Sequence, residues 1–441
     1  MKKPSFYWGV GIEDCWMAEH DEQRLAPQIS ISHDFKANRQ PKRLLDTYLL
    51  MQHYTMWRED LDRAAALGVN AIRYTVPWYR ANPKPGVYDW NWISKSLDYL
   101  VNKLQITPII DLMHYGTPVW MQNSTLNHDY PQRFAEYAAA FARQFKGLVN
   151  HYTPHNEPHQ NVVWGGYAAI WPPYLIGVDG WLKVGVNVAR GMVLVSQALR
   201  SELPDCIIIS ADGRSPMPPS EVEQDLCIKI ANGEREEFDL QVMQFPCNLA
   251  YGKVTVESPL GRGLIRGGES ENSLAWFCEH AQLPDVLGVF YYPACFEEPG
   301  NGSKETIDHS ILEMVTQISS YAKLVNRPIY LMETSGGNDD AQKVKWMNAV
   351  VDGINTLRDH GIDVTGVNWW PLFEVLLWQY REDTRTVFES IRRCGWNNGL
   401  YLIEEEFDGT LKRVPTASIN AYRNIIKKYP DGPVCCMNLL K

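Results

Sequence analysis

Eight short apolar runs, each set off from the next by a longer stretch, constrain this chain more than any other feature. They are FYWGVGI (6–12), VNAIRYTV (69–76), TPIIDLM (107–113), NHYTPHN (150–156), CIIISA (206–211), VLGVFYY (286–292), PIYLMET (328–334) and VTGVNWW (364–370). Between most of them apolar residues recur at three- and four-residue spacing, as in WREDLDRAAALG (57–68), PQRFAEYAAAFARQFKG (131–147) and GWLKVGVNVARGMVLVSQALRSEL (180–203). That spacing marks amphipathic helices. Strands alternating with helices pair in parallel through right-handed crossovers, and eight such units close most naturally into a (β/α)8 TIM barrel of the α/β class. A doubly wound open sheet is the alternative. No long linker, repeat or low-complexity tract divides the 441 residues. One domain spanning 1–441 is therefore expected, with extended loops at the C-terminal face of the barrel. The stretch 213–285 fits least well: EEFDLQVMQF (236–245) competes as a strand, and the Gly-rich GRGLIRGG (261–268) follows it. It is read as an excursion over the barrel mouth.

Composition narrows the function. A formal charge of −10 argues against a nucleic-acid binder, which depends on Lys and Arg to neutralise phosphates. No stretch approaches the roughly 18 apolar residues that span a bilayer, and Glu13 and Asp14 interrupt the N-terminal apolar run too early for a signal peptide. Nine irregularly spaced cysteines without a CxxC fit reduced thiols in a cytoplasmic protein. Aromatic residues make up 12% of the chain, and flat apolar rings are what a protein stacks against sugar faces.

Two glutamates stand where barrel chemistry is done. Glu157, in HYTPHNEPH (151–159), follows the fourth run, and Glu333, in RPIYLMETSGG (327–337), ends the seventh. Strand ends converge at the top of a barrel, so these carboxyls, distant in sequence, face one site. A pair of carboxyls is what glycosidic cleavage requires: one protonates the leaving oxygen, the other meets the oxocarbenium-like carbon from the opposite face. Such a pair needs opposite pKa shifts, the acid up and the nucleophile kept ionised by a nearby cation. Arg73, at the end of the second run, supplies that cation, and the amide of Asn156 reaches for a sugar hydroxyl beside the reacting carbon. No HxH or carboxylate-His cluster sits at a strand end, so no metal or organic cofactor is expected.

With these residues in place the chain resembles the family 1 glycoside hydrolases, the β-glucosidase and β-galactosidase group, over residues 6 to about 426. FYWGVGIE resembles the family's opening strand, HYTMWREDLDRAAALGVNAIRYTVPW its second helix and strand, and DLMHYGTPVW its LxHxDxPxW segment. TPHNEP is similar to the acid/base motif TxNEP and YLMETSGG to the nucleophile motif ITENG. LGVFYYPA resembles GxNYY, GVNWWPLFEVLLW resembles GYFxWSLLDNFEW, and GLYLIEEEFDGTLKRVPTAS resembles the closing segment. The resemblance implies Glu157 as acid/base and Glu333 as nucleophile, with Arg73 and Tyr292 holding Glu333 ionised. It implies His114 and Asn156 as ligands of the cleaved sugar, Trp370 as that subsite's floor and Trp378 as a wall.

Two departures bear on substrate. The glutamine that the family usually carries after the first strand is missing, with Trp16 nearest in register, and the glutamate that usually binds hydroxyls far from the anomeric carbon falls on Leu377. A leucine leaves such hydroxyls unpaired, at roughly 1–3 kcal/mol each. The expectation is a retaining β-glycosidase working through a covalent glycosyl-enzyme on a small-molecule β-glycoside or oligosaccharide, one that is deoxygenated, substituted or chosen by its aglycone. Three rivals use the same barrel: a transglycosidase, a 6-phospho-β-glycosidase served by Arg381, Arg385, Arg392 and Arg393, and an inactive sugar binder. Nothing in the sequence sets the oligomeric state.

Overall fold

The computed structural model describes residues 4–13, 16–17, 44–213, 241–242, 244–293, 303–382, 384–394 and 397–433. All eight runs form strands: β1 (Tyr7–Ile12), β2 (Ala71–Thr75), β3 (Thr107–Asp111), β4 (His151–Thr153), β5 (Ile207–Ile208, resuming at Asp212–Gly213), β6 (Leu287–Phe290), β7 (Ile329–Thr334) and β8 (Val364–Trp369). One parallel ladder runs from β5 through β4, β3, β2, β1, β8, β7 and β6. It then returns to its start. Ile207 and Ile208 pair with β4, Ile209 bridges Val286, and Asp212 and Gly213 pair with β6, so the broken β5 joins both ends of the ladder. An open doubly wound sheet would leave two edges; this is a (β/α)8 barrel.

Burial explains why the strand runs read as nearly continuous apolar sequence. β1, β2, β6 and β7 are buried at every residue, as parallel strands covered on both faces should be. Side chains alternate between two cores. Tyr7, Ala71, Ile109, Phe290, Tyr330 and Met332 fill the barrel interior, while Trp8, Val10, Ile72 and Leu331 point outward to helices at Leu61, Phe134 and Ile354. The helix Tyr130–Gln144 buries Phe134, Tyr137, Ala138 and Phe141 on one stripe, which fixes it to the barrel wall. Two further antiparallel pairs, Trp16–Met17 with Leu45–Asp46 and Tyr401–Glu405 with Leu411–Pro415, lie outside the barrel ladder. Among the described residues no helix is long and apolar enough to cross a membrane.

The stretch after β5 differs from expectation. Residues 236–240 lie outside the described residues, Gln241 and Val242 are helical, and Phe245–Ala250 is a helix, so no competing strand forms there in the described part. The Gly-rich run is a helix too, Pro259–Arg266, capped by Ser258 Oγ accepting from the Gly261 N–H at 3.1 Å. Phe245 stacks on Trp181 at 4.2 Å, and Leu260, Leu264, Leu274 and Phe277 are fully buried in the outer core. The described part of this segment thus packs as helices into the outer core between β5 and β6. Apolar side chains at helical spacing outweighed the glycines.

Candidate active site

A cavity of about 350 Å³ opens at the C-terminal ends of the strands. Glu157 and Glu333 both line it, together with Glu13, His114, Tyr115, Tyr292, Trp370, Leu377 and Trp378. Backbone hydrogen bonds carry the β4 chain on to the acid. The Asn156 N–H donates to the Met113 carbonyl at 2.9 Å and the Glu157 N–H to the Ala211 carbonyl at 2.8 Å. Glu157 then adopts φ +38°, in the left-handed region that a residue with a Cβ rarely takes, at the start of a short helix opened by Pro158. Strain of this kind persists where surrounding contacts hold it, commonly at functional sites.

Glu333 reaches the cavity by a different device. Met332 already faces the barrel interior, so strict alternation would turn Glu333 outward. The register between β7 and β6 shifts between Leu331 and Glu333, and this bulge brings Glu333 to the cavity as well.

Arg73 organises the floor. It lies at the centre of β2 and not at its end, fully buried, and its length carries the guanidinium to the site. One terminal nitrogen donates to Glu333; the other donates to Asp111 at 2.9 Å and to the Asn156 side-chain oxygen at 2.5 Å. Burial works against its charge, but Asp111, Glu333 and Glu13 more than restore it and raise its pKa above the ordinary value. The Tyr292 hydroxyl donates to the other Glu333 oxygen at 2.6 Å. Asp111 also takes His114 Nδ1 at 3.0 Å, and the Asn156 amide donates to His114 Nε2 at 3.1 Å. The amide is thereby oriented from both sides. Replacing Arg73 with Met strands three carboxyls in a dry site, and breaking such a buried pair costs about 3–5 kcal/mol. Urea denaturation of R73M checks this; a loss under ~1 kcal/mol, the scale of a surface ion pair, contradicts it.

The electrostatics correct one expectation. Both glutamate pKa values move up, because burial acts on both. Burial and then the Glu333 charge push Glu157 to about 8, with only partial opposition from the Tyr115 hydroxyl that bonds it and from Arg73. On Glu333 the rise from burial is opposed by Arg73 and Tyr292, both in direct contact. Partners, not burial, distinguish the two.

Aromatic rings form the walls. Trp370 meets Tyr292 edge-on at 6.0 Å, and Trp378 packs against Trp164 at 5.2 Å and Trp171 at 6.3 Å. Leu377 also lines the cavity. Trp16 is in the short strand beside Leu45–Asp46, and its side chain lies outside the described residues. The four arginines do not converge on the cavity. Arg381 is buried against the Tyr174 hydroxyl, Arg392 pairs with Glu374 at 2.9 Å, and none of the four lines the cavity. Among the described residues no group of three or more His, Cys, Asp or Glu side chains forms a metal site.

Sequence reasoning missed Glu13, Asp111 and Tyr115. Asp111 was legible as a charge inside the apolar run TPIIDLM. Tyr115 turns toward Glu157 from a backbone at φ +74°, which no local pattern announces.

Comparisons with known proteins agree with this architecture. The sequence matches the family profile "Glycosyl hydrolase family 1" over residues 29–226. It is 31% identical to β-glucosidase 47 of Arabidopsis thaliana, across 85% of this chain and 76% of that protein. It is 28% identical to 1,4-β-D-glucan glucohydrolase of Thermotoga neapolitana, across 51% of this chain and 55% of that one, and 24% identical to β-glucosidase A of Thermotoga maritima, across 50% and 51%. The chain thus spans about half the length of these Thermotoga relatives. The solved β-glucosidase from Thermotoga maritima in complex with deoxynojirimycin shares the fold at TM-score 0.71, with 18% identity over 98% of this chain and 99% of that one. The chain belongs to glycosyl hydrolase family 1.

Proposed function

We propose that the protein is a retaining β-glycosidase. One observation carries the reading: two carboxyls share a cavity, each bound by a tyrosine hydroxyl, and only Glu333 is also bound by a guanidinium. Glu157 holds its proton to about pH 8 and delivers it to the leaving oxygen. Glu333, kept nucleophilic by Arg73 and Tyr292, attacks the anomeric carbon and forms a glycosyl ester. Glu157, now ionised, takes a proton from water, which attacks the same carbon and releases the sugar with its configuration retained. Transfer to another acceptor would use the same groups. His114 and Asn156 bind hydroxyls of the cleaved sugar, Trp370 supports it and Trp378 closes one side.

The relatives named above are β-glucosidases and a glucan glucohydrolase, which supports a β-linked glycoside as substrate. Leu377 on the cavity lining supports a sugar deoxygenated or substituted where it faces that side chain, or selection by the aglycone. An aryl β-glycoside panel tests the whole reading when combined with a 2-deoxy-2-fluoro glycosyl trap read by intact mass. The expected result is one glycosyl unit added per chain, on the peptide that carries Glu333, and a 6-deoxy or 6-substituted glycoside cleaved faster than the glucoside. No adduct with any sugar contradicts the mechanism; a glucoside turned over at least as well as those analogues contradicts the glycone.

A further inference from the structure

A third glutamate lies inside this cavity. Glu13 follows β1, its side chain is 1% exposed, and it lines the same pocket as Glu333 and Trp370. The carboxyl is folded back over Gly11: a Cβ on that glycine would come within 2.4 Å of Glu13 Oε2 and 2.6 Å of the Trp370 ring. Glycine at position 11 leaves the room that Glu13 occupies.

Structural duty does not account for it. The nearest cation, Arg73, is 3.4 Å away, and its terminal nitrogens already donate to Glu333, Asp111 and Asn156. The Trp370 indole contacts the carboxyl and favours its ionised form, but among the described residues neither Glu13 oxygen has a partner at full hydrogen-bond geometry. A buried acid held only by a 3.4 Å ion pair keeps unsatisfied hydrogen-bonding capacity, which is costly unless a ligand completes it.

We propose that Glu13 is a specificity residue that hydrogen-bonds a ring hydroxyl of the glycone. Burial, opposed by Arg73 and reinforced by the charges of Glu333 and Asp111, holds its pKa well above the ordinary carboxyl value. The neutral acid both donates and accepts, which is the pairing that a sugar hydroxyl offers in return. An ionised carboxylate would instead add a negative charge beside the nucleophile, where Arg73 is already shared.

The inference rests on the glycosidase reading, and the experiment separates the two. The best-cleaved aryl β-glycoside is compared with its monodeoxy analogues on wild type, E13A and E13Q, with thermal unfolding as the folding control. Wild type should cleave one deoxy analogue about 10–100-fold less efficiently than the parent, the scale of a lost buried hydrogen bond. E13A should lose that margin on the parent and cleave both equally in kcat/KM. E13Q, which keeps a donor and an acceptor, should preserve most of the discrimination, and it remains informative if E13A does not fold. An E13A loss of the same factor on the parent and every analogue, no loss at all, or an E13Q that folds but no longer discriminates overturns the role of Glu13 and leaves the glycosidase reading standing. A wild type that cleaves no member of the panel overturns both.

Discussion

Glu333→Gln abolishes turnover: kcat falls on the order of 10⁵–10⁶-fold, the scale on which removing a covalent nucleophile acts. Glutamine fills the same space; its amide oxygen can accept from Arg73, and its NH2, standing where the other carboxylate oxygen took the Tyr292 hydroxyl, can donate to that hydroxyl instead, so the fold should survive. What is lost is the oxygen that forms the glycosyl ester. Arg73 keeps Asp111 at 2.9 Å as its counter-charge, which limits the cost to stability. Single-turnover kinetics on an activated aryl glycoside, beside a thermal melt, separate chemistry from folding. A folded E333Q with wild-type turnover removes Glu333 from the mechanism.

The second large effect is at Glu157, and the step it slows depends on the leaving group. General acid catalysis is worth roughly 10²–10⁴-fold, so E157Q should lose about that much on alkyl glycosides, whose leaving oxygen needs a proton. A dinitrophenol leaves without one. On that substrate the ester still forms, but its hydrolysis lacks the base, so the glycosyl-enzyme accumulates and azide, which needs no deprotonation, restores turnover as a glycosyl azide. The pH profile follows from the same group. The protonated acid is the active form, so wild-type kcat/KM should be sustained below about pH 8 and fall as pH rises through it, the value to which burial and Glu333 push Glu157. E157Q should lack that basic limb. Equal loss on both leaving groups, or an unchanged limb, assigns the proton to another residue. Tyr115, hydrogen-bonded to Glu157, is the first to examine.

Much of this was legible before any coordinates. Each strand is a run of apolar residues because a parallel strand is buried on both faces, so the chain itself announces them. Glu157 and Glu333 are conspicuous as charges at the ends of such runs, and Arg73 as a charge within one. The basic residues 381–393 stayed open to more than one reading for the opposite reason. Charge clustered in sequence says nothing of direction, and the fold sends Arg381 to Tyr174 and Arg392 to Glu374.

The sequence by itself determined the alternation of elements, the barrel it implies and the identity of the two catalytic candidates, because periodicity and strand ends are local properties of a chain. Only the tertiary structure decided what those groups meet. Barrel closure through the split β5, the bulge that turns Glu333 inward and the sharing of Arg73 among Glu333, Asp111 and Glu13 join residues on different strands. Electrostatics in a dry site depends on distance through space and on burial, neither of which a linear pattern records. Glu13 is the clearest case: in the sequence it merely ends an apolar run, and in the fold it is a third acid lining the cavity of Glu157 and Glu333.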